Sequence, residues 1–269
     1  MKDKILKIKE GILNNKFYDD IAKELNISKD CVFRYAKKLG LSTGKNFKRK
    51  SKLNENCFAN IDDSNKAYWL GFIMADGGVC YTTNYYKQQN KPNRLYINLS
   101  IKDKETLINL KEFLNTDKEV EEYTPKGTYS ENAMCRLIIN STRLCRDLSI
   151  YGIHPGKTGY EIIPELSNDM LPHFIRGYFD GDGCIYINQK EQLRITFSGN
   201  KTFLESLQTK LISNNILSSK TKITKQGDKN CYLFCINKQS DINNFYKYIY
   251  QNSKVHMERK FNKFGNSLY

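Results

Sequence analysis

The chain has 269 residues, a formal net charge of +14 and a pI near 9.3. Clustered Lys and Arg side chains gain free energy by releasing counterions from phosphates, so we expect a polyanionic partner. The sequence has no run of about 18 apolar residues and its first residues are too charged for a signal peptide, so we expect no membrane association. The eight cysteines form no CxxC pair, which argues against a zinc site and favours a reducing compartment, the cytoplasm or an organelle.

Residues 1–43 are predicted to form an all-α module. Apolar residues recur at helical spacing in three stretches, residues 4–13, 18–25 and 29–39. Asn26 tolerates a left-handed turn between the last two, and Ser28 can cap the third helix. This arrangement resembles a helix-turn-helix, which places its last helix in the major groove of DNA; a three-helix cap with a solvated basic face is the alternative. The predicted DNA contacts of this module are Ser28, Lys29, Arg34 and Lys37.

A basic linker, residues 44–60, follows this module. Its Lys48 and Arg49 are further candidates for contact with a phosphate backbone. Such a charge run is also typical of a solvated linker that binds nothing.

The rest of the chain repeats itself. The segment at residues 67–77, AYWLGFIMADG, recurs at residues 173–183 as HFIRGYFDGDG. We expect a first repeat at residues 61–160 and a second at residues 161–269. Repeats of this length indicate two fused copies of one unit, related by an approximate two-fold axis as in a homodimer made covalent.

Each repeat begins with an apolar helix that ends in Asp-Gly. Because these helices are apolar nearly all round, both must be buried, and parallel packing would bring Asp76 and Asp182 together. Two carboxylates at adjacent helix C-termini raise each other's pKa, and a bound divalent cation, Mg²⁺ for such oxygen ligands, would relieve the repulsion. An Asp-Gly pair that merely ends a helix, with Gly as a left-handed cap, is the alternative. The predicted metal ligands are the carboxylates of Asp76 and Asp182 and the backbone carbonyls of Ala75 and Gly181.

The predicted strands alternate strictly between apolar and polar residues. Residues 94–101 and 192–198 each place apolar side chains on one face and polar ones on the other, and residues 220–224 form a third candidate strand. Such polar side chains pair with base edges, and a two-stranded ribbon fits the major groove; a merely solvated face is the alternative. The predicted DNA contacts of the strands are Arg94, Tyr96, Asn98, Ser100, Gln192, Arg194, Thr196, Ser198, Lys220, Lys222 and Thr224.

The stretches at residues 69–77 and 175–183 resemble the paired motifs of the LAGLIDADG homing endonucleases, in the single-chain form with two motifs. The resemblance covers about residues 60–269. It implies an α+β fold with an αββαββα unit used twice, saddle-shaped antiparallel sheets lying on DNA, and a monomer with internal pseudo-symmetry. It also implies Mg²⁺-dependent cleavage of both strands of a long double-stranded DNA target, and often a gene within an intron or intein.

Some functional residues follow from this resemblance alone. Asp76 and Asp182 match the acidic position that binds metal in the family, and Gly71 and Gly177 match its helix-contact glycine. Lys238 is the best match by position to the basic residue that the family places near the scissile phosphate. The resemblance therefore predicts Asp76, Asp182 and Lys238 as catalytic residues.

Two other functions fit the same sequence features. Non-catalytic DNA-binding regulators of the WhiA type resemble a decayed nuclease domain with a helix-turn-helix. An RNA maturase that assists splicing of its host intron would present a similar basic surface. Retention of both Asp76 and Asp182 argues against decay.

Overall fold

The computed structural model describes residues 2–14, 16–41, 51–125, 132–227 and 230–265. The chain divides into two compact units, residues 1–52 and residues 53–269. Among the helices of the described part, none is both long enough and apolar enough to cross a membrane.

The first unit is all-α, as the helical periodicity predicts. Its helices are α1 (Lys2–Leu13), α2 (Tyr18–Leu25) and α3 (Lys29–Lys38). Between α2 and α3, Asn26 takes the left-handed conformation with φ 48° and ψ 57°. Ser28 caps α3, its Oγ accepting a hydrogen bond of 3.2 Å from the backbone N–H of Cys31. The unit has its own apolar core, formed by Ile8, Ile12, Tyr18, Ile21, Ala22, Val32 and Ala36.

The second unit contains the two repeats. The first consists of α4 (Ser64–Asp76), β1 (Gly77–Cys80), α5 (Asn84–Gln88), β2 (Arg94–Ser100), α6 (Lys104–Phe113), β3 (Glu121–Tyr123), β4 (Met134–Asn140) and α7 (Thr142–Ile150). The second consists of α8 (Leu171–Asp182), β5 (Gly183–Ile187), β6 (Leu193–Gly199), α9 (Lys201–Ser213), β7 (Thr224–Lys225), β8 (Tyr232–Ile236), α10 (Gln239–Tyr250) and α11 (Glu258–Gly265).

Each repeat builds one antiparallel sheet of four strands. The strand orders are β1-β2-β4-β3 and β5-β6-β8-β7, so the two sheets have the same topology. We call them sheet A and sheet B. The predicted α+β fold with two αββαββα repeats is confirmed, and α5, which interrupts the connection from β1 to β2, was not predicted.

The strand predicted at residues 220–224 is wrong in its bounds. Only Thr224 and Lys225 pair with β8, and Lys220 and Lys222 precede that strand in irregular chain. The backbone carbonyl of Thr221 accepts a hydrogen bond of 2.9 Å from Gln208 Nε2. A side chain thus takes the place of a ladder partner at this position, which explains why the strand begins later.

The alternation of strand residues determines which sheet face is buried. In β2, Leu95, Ile97 and Leu99 are buried while Tyr96 and Asn98 are exposed. The buried face packs on the helices, because period-two side chains on one face of a strand share one environment. The opposite face of each sheet remains open to solvent and carries the polar side chains.

Candidate active site at the paired helix ends

Helices α4 and α8 cross so closely that only glycine fits at the contact. A Cβ atom on Gly71 would lie 2.0 Å from the carbonyl oxygen of Phe174, and one on Gly177 would lie 1.9 Å from that of Tyr68. Further along, a Cβ atom on Gly181 would lie 2.4 Å from the Cβ of Ala75. Residues later in α4 contact residues later in α8, so the two helices are parallel and their C-termini lie side by side.

The glycines that follow the two aspartates are not left-handed caps. Gly77 has φ −87° and Gly183 has φ −86°, both extended, and the chain enters β1 and β5 at once. A Cβ atom on Gly77 would lie 2.8 Å from the carbonyl oxygen of Ile73, so close packing excludes a side chain there. The alternative of a simple left-handed helix cap is therefore wrong for both Asp-Gly pairs.

The carboxylates of Asp76 and Asp182 lie in one partly buried environment. Burial, and next the charge of Asp182, raise the pKa of Asp76 to about 6. Burial also raises the pKa of Asp182, and the ammonium of Lys157 opposes that shift. A Cβ atom on Gly181 would lie 3.1 Å from Asp76 Oδ2, which places this carboxylate at the helix contact. The structure thus brings the two predicted metal-binding carboxylates together.

Two buried lysines cap the helix ends, and sequence reasoning missed both. Lys157 Nζ donates to the carbonyl oxygens of Met74 at 2.6 Å and Ala75 at 3.3 Å. Lys260 Nζ has three N–H donors and lies within hydrogen-bond distance, 2.6–3.3 Å, of four carbonyl oxygens, those of Phe179, Asp180, Gly181 and Gly183. The last carbonyls of a helix have no intrahelical partner and carry partial negative charge, so ammonium groups stabilise them.

Burial disfavours the charged form of both lysines. It lowers the pKa of Lys157, and it lowers the pKa of Lys260 to about 8. The carboxylates of Glu161, Asp182 and Asp76 oppose the shift of the Lys157 pKa, and those of Asp180 and Asp76 oppose the shift of the Lys260 pKa. Each lysine follows the last sheet-packing helix of its repeat, α7 or α10, so the two repeats have a matching position although no local pattern marks either residue.

Asp180, two residues before Asp182, has a different environment. It is fully buried, and its Oδ2 accepts hydrogen bonds of 2.9 Å from the hydroxyl of Tyr68 and 2.7 Å from the backbone N–H of Met257. Burial raises its pKa to about 6. These bonds tie α8 to α4 and to the segment before α11, so Asp180 holds the helix pair in place.

The helix ends offer a donor set that fits Mg²⁺. In the described part of the chain, no three His, Cys, Asp or Glu side chains converge as a metal-binding group. Asp76 and Asp182 are the carboxylates that end the two paired helices, and the charge of the buried Glu161 acts on Asp182. Mg²⁺ commonly takes one or two carboxylates and keeps several waters. The carbonyls of Ala75 and Gly181 each accept a long contact of 3.3 Å from a lysine, and their predicted role as ligands stays a prediction.

Lys238 lies at the N-terminus of α10, where its side chain is exposed. Its Nζ donates to Ser218 Oγ at 3.2 Å. The basic groups with the largest effect on the pKa of Asp76 are Lys260 and Lys157. A catalytic role of Lys238 stays a prediction.

The predicted DNA-contacting residues of sheet A lie on its open face. Arg94 is cross-strand neighbour to Asn140 and donates from Nε to its Oδ1 at 2.9 Å. Asn98 Oδ1 accepts a hydrogen bond of 3.2 Å from the hydroxyl of Tyr123. Tyr96 is exposed, and Ser100 Oγ accepts a hydrogen bond from the backbone N–H of Lys102, in the short 3₁₀ turn Ile101–Asp103.

The counterparts in sheet B have a similar placement. Arg194 Nη1 donates to the carbonyl oxygen of Asn237 at 2.9 Å, and its Nη2 contacts Gln192 Oε1. Thr196 and Ser198 follow on the same face. The exposed residues Lys220, Lys222 and Thr224 lie in and before the edge strand β7.

The basic residues of the first unit are only partly described. Arg34 and Lys37 are exposed on α3, whereas Lys29 Nζ forms an ion pair with Asp19 at 2.7 Å. Lys48 and Arg49 lie outside the described residues.

A protein-family comparison bears on the second repeat. Residues 169–250 match the family described as LAGLIDADG-like domain. The resemblance inferred from the motif at residues 175–183 is thereby confirmed for the second repeat.

Several solved structures are similar to this chain. The meganuclease I-AabMI bound to uncleaved DNA is 14% identical, with 74% of this chain and 89% of that chain covered and a TM-score of 0.47. The homing endonuclease I-LtrWI bound to target DNA is 11% identical, with coverages of 78% and 89% and a TM-score of 0.48. I-SmaMI bound to an uncleaved DNA target in the presence of calcium ions is 13% identical, with coverages of 81% and 91% and a TM-score of 0.46.

One curated protein also matches. The glutamine–fructose-6-phosphate aminotransferase of Methanocaldococcus jannaschii is 33% identical over 109 residues, which make up 38% of this chain. The match spans 10% of the length of that enzyme.

Proposed function

We propose that this protein is a site-specific homing endonuclease that makes a Mg²⁺-dependent double-strand break in a long DNA target. The observation that carries the proposal is the parallel helix pair whose ends hold Asp76 and Asp182 beside each other, each with a buried lysine nearby. One chain supplies both carboxylates, so a monomer suffices for the site. The family resemblance supports a gene located within an intron or intein.

The two carboxylates would hold the cation. Bound there, Mg²⁺ would supply Lewis-acid activation of a phosphodiester and of a water nucleophile. Asp76 must be ionised to act as a ligand, and its pKa of about 6 makes this a proton-linked event. Cation binding should therefore weaken as pH falls below about 6.

Lys157 and Lys260 would act by charge. Their ammonium groups sit on the last carbonyls of α4 and α8, beside the carboxylates. Fixed positive charge in a partly desolvated site stabilises the negative charge that develops on a phosphate during cleavage. The pKa of about 8 for Lys260 implies that it is mostly protonated at neutral pH and loses this charge at more alkaline pH.

The open faces of sheets A and B would bind the duplex. Arginine and serine side chains occur in both β2 and β6, with asparagine in β2 and threonine in β6, and Gln192 directly precedes β6. These residue types contact phosphates and base edges, which fix register and sequence preference respectively. The first unit, with Arg34 and Lys37 exposed on α3, would add a further DNA contact.

The experiment that tests this proposal uses a pool of duplexes with a long randomised segment. The intact protein is incubated with the pool in Mg²⁺ or in EDTA, and the new DNA ends are sequenced. The nuclease function predicts double-strand ends only in Mg²⁺ and at one long preferred sequence. Retention of duplexes without cutting would indicate a regulator, and preferential binding of a structured intron RNA would indicate a maturase.

A further inference from the structure

The two repeats differ in the connection between their first two strands. Residues 81–93 join β1 to β2 and contain α5, whereas residues 188–192 alone join β5 to β6. The sequence has no Asp or Glu between Gly77 and Lys102, so the longer connection is purely basic. The shorter one has Lys190 next to Glu191 and no net charge.

The longer connection is held firmly on sheet A. Asn93 is buried, its Nδ2 donates to Thr82 Oγ1 at 2.8 Å, and its Oδ1 accepts from the backbone N–H of Thr82 at 2.9 Å. The Tyr81 hydroxyl donates to Asn90 Oδ1 at 2.6 Å. These bonds close the base of the connection, and α5 projects from it with no buried residue.

The outer surface of this projection carries large side chains that are exposed and do not pack in the core. Tyr85 is 62% exposed and meets Tyr86 edge to face, with ring centroids 5.4 Å apart. Lys87 and Lys91 are exposed, and within the described residues no carboxylate forms an ion pair with either. Lysine and tyrosine are among the side chains that contact the DNA backbone.

The topology places the projection far from the paired aspartates. Strand β1 begins at Gly77, directly after Asp76, and runs away from it. At roughly 3.3 Å per residue, its far end lies on the order of 13 Å from the helix end. The connection is therefore at the outer end of sheet A, and the short turn at residues 188–192 is its counterpart on sheet B.

We propose that Tyr85, Lys87 and Lys91 bind the backbone of the DNA that flanks the half-site of the first repeat, so that the protein covers an asymmetric target. This inference rests on the proposed function, in which one duplex lies across both sheets. A helix of the length of α5 spans roughly 7 Å, equal to about two base pairs at the rise of B-DNA. The footprint is thus about two base pairs longer on one flank.

Hydroxyl-radical footprinting tests this proposal. The probe is the duplex recovered from a randomised pool by repeated selection on the intact protein, held in EDTA so that no strand is cut. The wild-type protein is compared with the triple variant Tyr85→Ala, Lys87→Ala, Lys91→Ala. The matched control is Lys190→Ala on the short turn. Because all four side chains lie at the surface, the melting temperatures should agree, and any loss then reports a contact.

The triple variant should lose protection of about two base pairs on one flank only. Its plot of log K against log salt should flatten by about 2, at about 0.9 for each lost phosphate contact. The control should protect the same base pairs as the wild type. Identical flanks for wild type and triple variant, or equal losses on both flanks, would overturn the proposal.

Cleavage is scored separately on the same duplex in Mg²⁺. If protection of one flank depends on α5 but no strand is cut, the result contradicts the nuclease function and leaves this inference standing. Cutting with a footprint that does not depend on α5 contradicts this inference alone. A wild-type protein that protects no duplex overturns both.

Discussion

Asp76 and Asp182 lie where ionisation of a carboxylate is energetically unfavourable. Both end buried helices, where the helix dipole is already negative, and burial and the charge of Asp182 raise the pKa of Asp76. Lys157 and Lys260 offset part of this cost through their ammonium groups. Groups with pKa values shifted in this way concentrate at functional sites, where stability is given up for chemistry.

Replacing Asp76 by Asn should stabilise the protein in a pH-dependent way. The folded-state pKa of about 6 exceeds the reference value of 3.8, so the folded protein binds this proton more tightly than the unfolded chain. The stabilisation that this tighter proton binding gives the wild-type protein is fully present below the unfolded pKa. It is lost as pH rises through about 6. Since one pKa unit corresponds to about 1.4 kcal/mol, Asp76→Asn should gain about 2 kcal/mol more at pH 8 than at pH 4.

Urea denaturation at both pH values, without divalent cations, measures this difference. The exposed residue Asp169 supplies the control variant, Asp169→Asn, which should change the unfolding free energy little, as a surface substitution does. Equal changes in unfolding free energy at pH 4 and pH 8 for Asp76→Asn would contradict the assigned environment.

At the scale of elements, the α4–α8 pair organises the second unit. Both helices lie inside one continuous core that also includes side chains of both sheets, and α8 buries Arg176 and Asp180 as well. Interior glycine costs about 1 kcal/mol relative to alanine in an isolated helix. Here the backbones approach so closely at Gly71 and Gly177 that any side chain would collide with a carbonyl oxygen.

Gly71→Ala should destabilise the protein despite its better helix propensity. The new Cβ would lie 2.0 Å from the Phe174 carbonyl oxygen, which belongs to backbone and cannot move aside alone. We expect a loss of about 3 kcal/mol in unfolding free energy, as for overpacked cores, together with loss of cleavage. Asn244→Ala, at an exposed position within α10, is the control and should change stability little. A Gly71→Ala protein as stable as the control would argue against the close crossing.

Much of the element pattern was predictable because local periodicity and repetition carry it. The helices of the first unit, the two motif helices and the alternation of β2 follow directly from residue spacing. Helix α5 was missed because its Asn, Tyr, Lys and Gln residues show no apolar period. Lys157 and Lys260 were missed because their contacts join residues about 80 positions apart, which no local pattern reports.

At the scale of the whole molecule, the chain combines one repeated unit with one separate unit. The repeats share topology and both supply an aspartate and a capping lysine, as expected for a homodimer made covalent. Fusion allows the halves to diverge, and the connection that contains α5 is an example. Residues 1–52 form a unit with its own core, and their contribution to DNA binding is a proposal.

Removing residues 1–52 should leave a folded protein that binds DNA less tightly. The remaining residues 53–269 form one compact unit with a continuous core, so we expect cooperative unfolding to persist. Loss of phosphate contacts from the first unit should flatten the plot of log K against log salt by about 0.9 for each contact. Salt titration of DNA binding by both proteins measures this slope. An unchanged slope would show that the first unit makes no phosphate contact.

The most direct test of the paired-aspartate site compares Asp76→Asn and Asp182→Asn with the wild-type protein on the duplex that the protein selects. Cleavage of each strand is measured in Mg²⁺, and binding is measured in EDTA. Because both carboxylates hold one site while phosphate contacts dominate affinity, each single variant should lose cleavage by a factor of at least about 100 and keep wild-type binding. Cleavage of both strands at the wild-type rate by either variant would contradict the account.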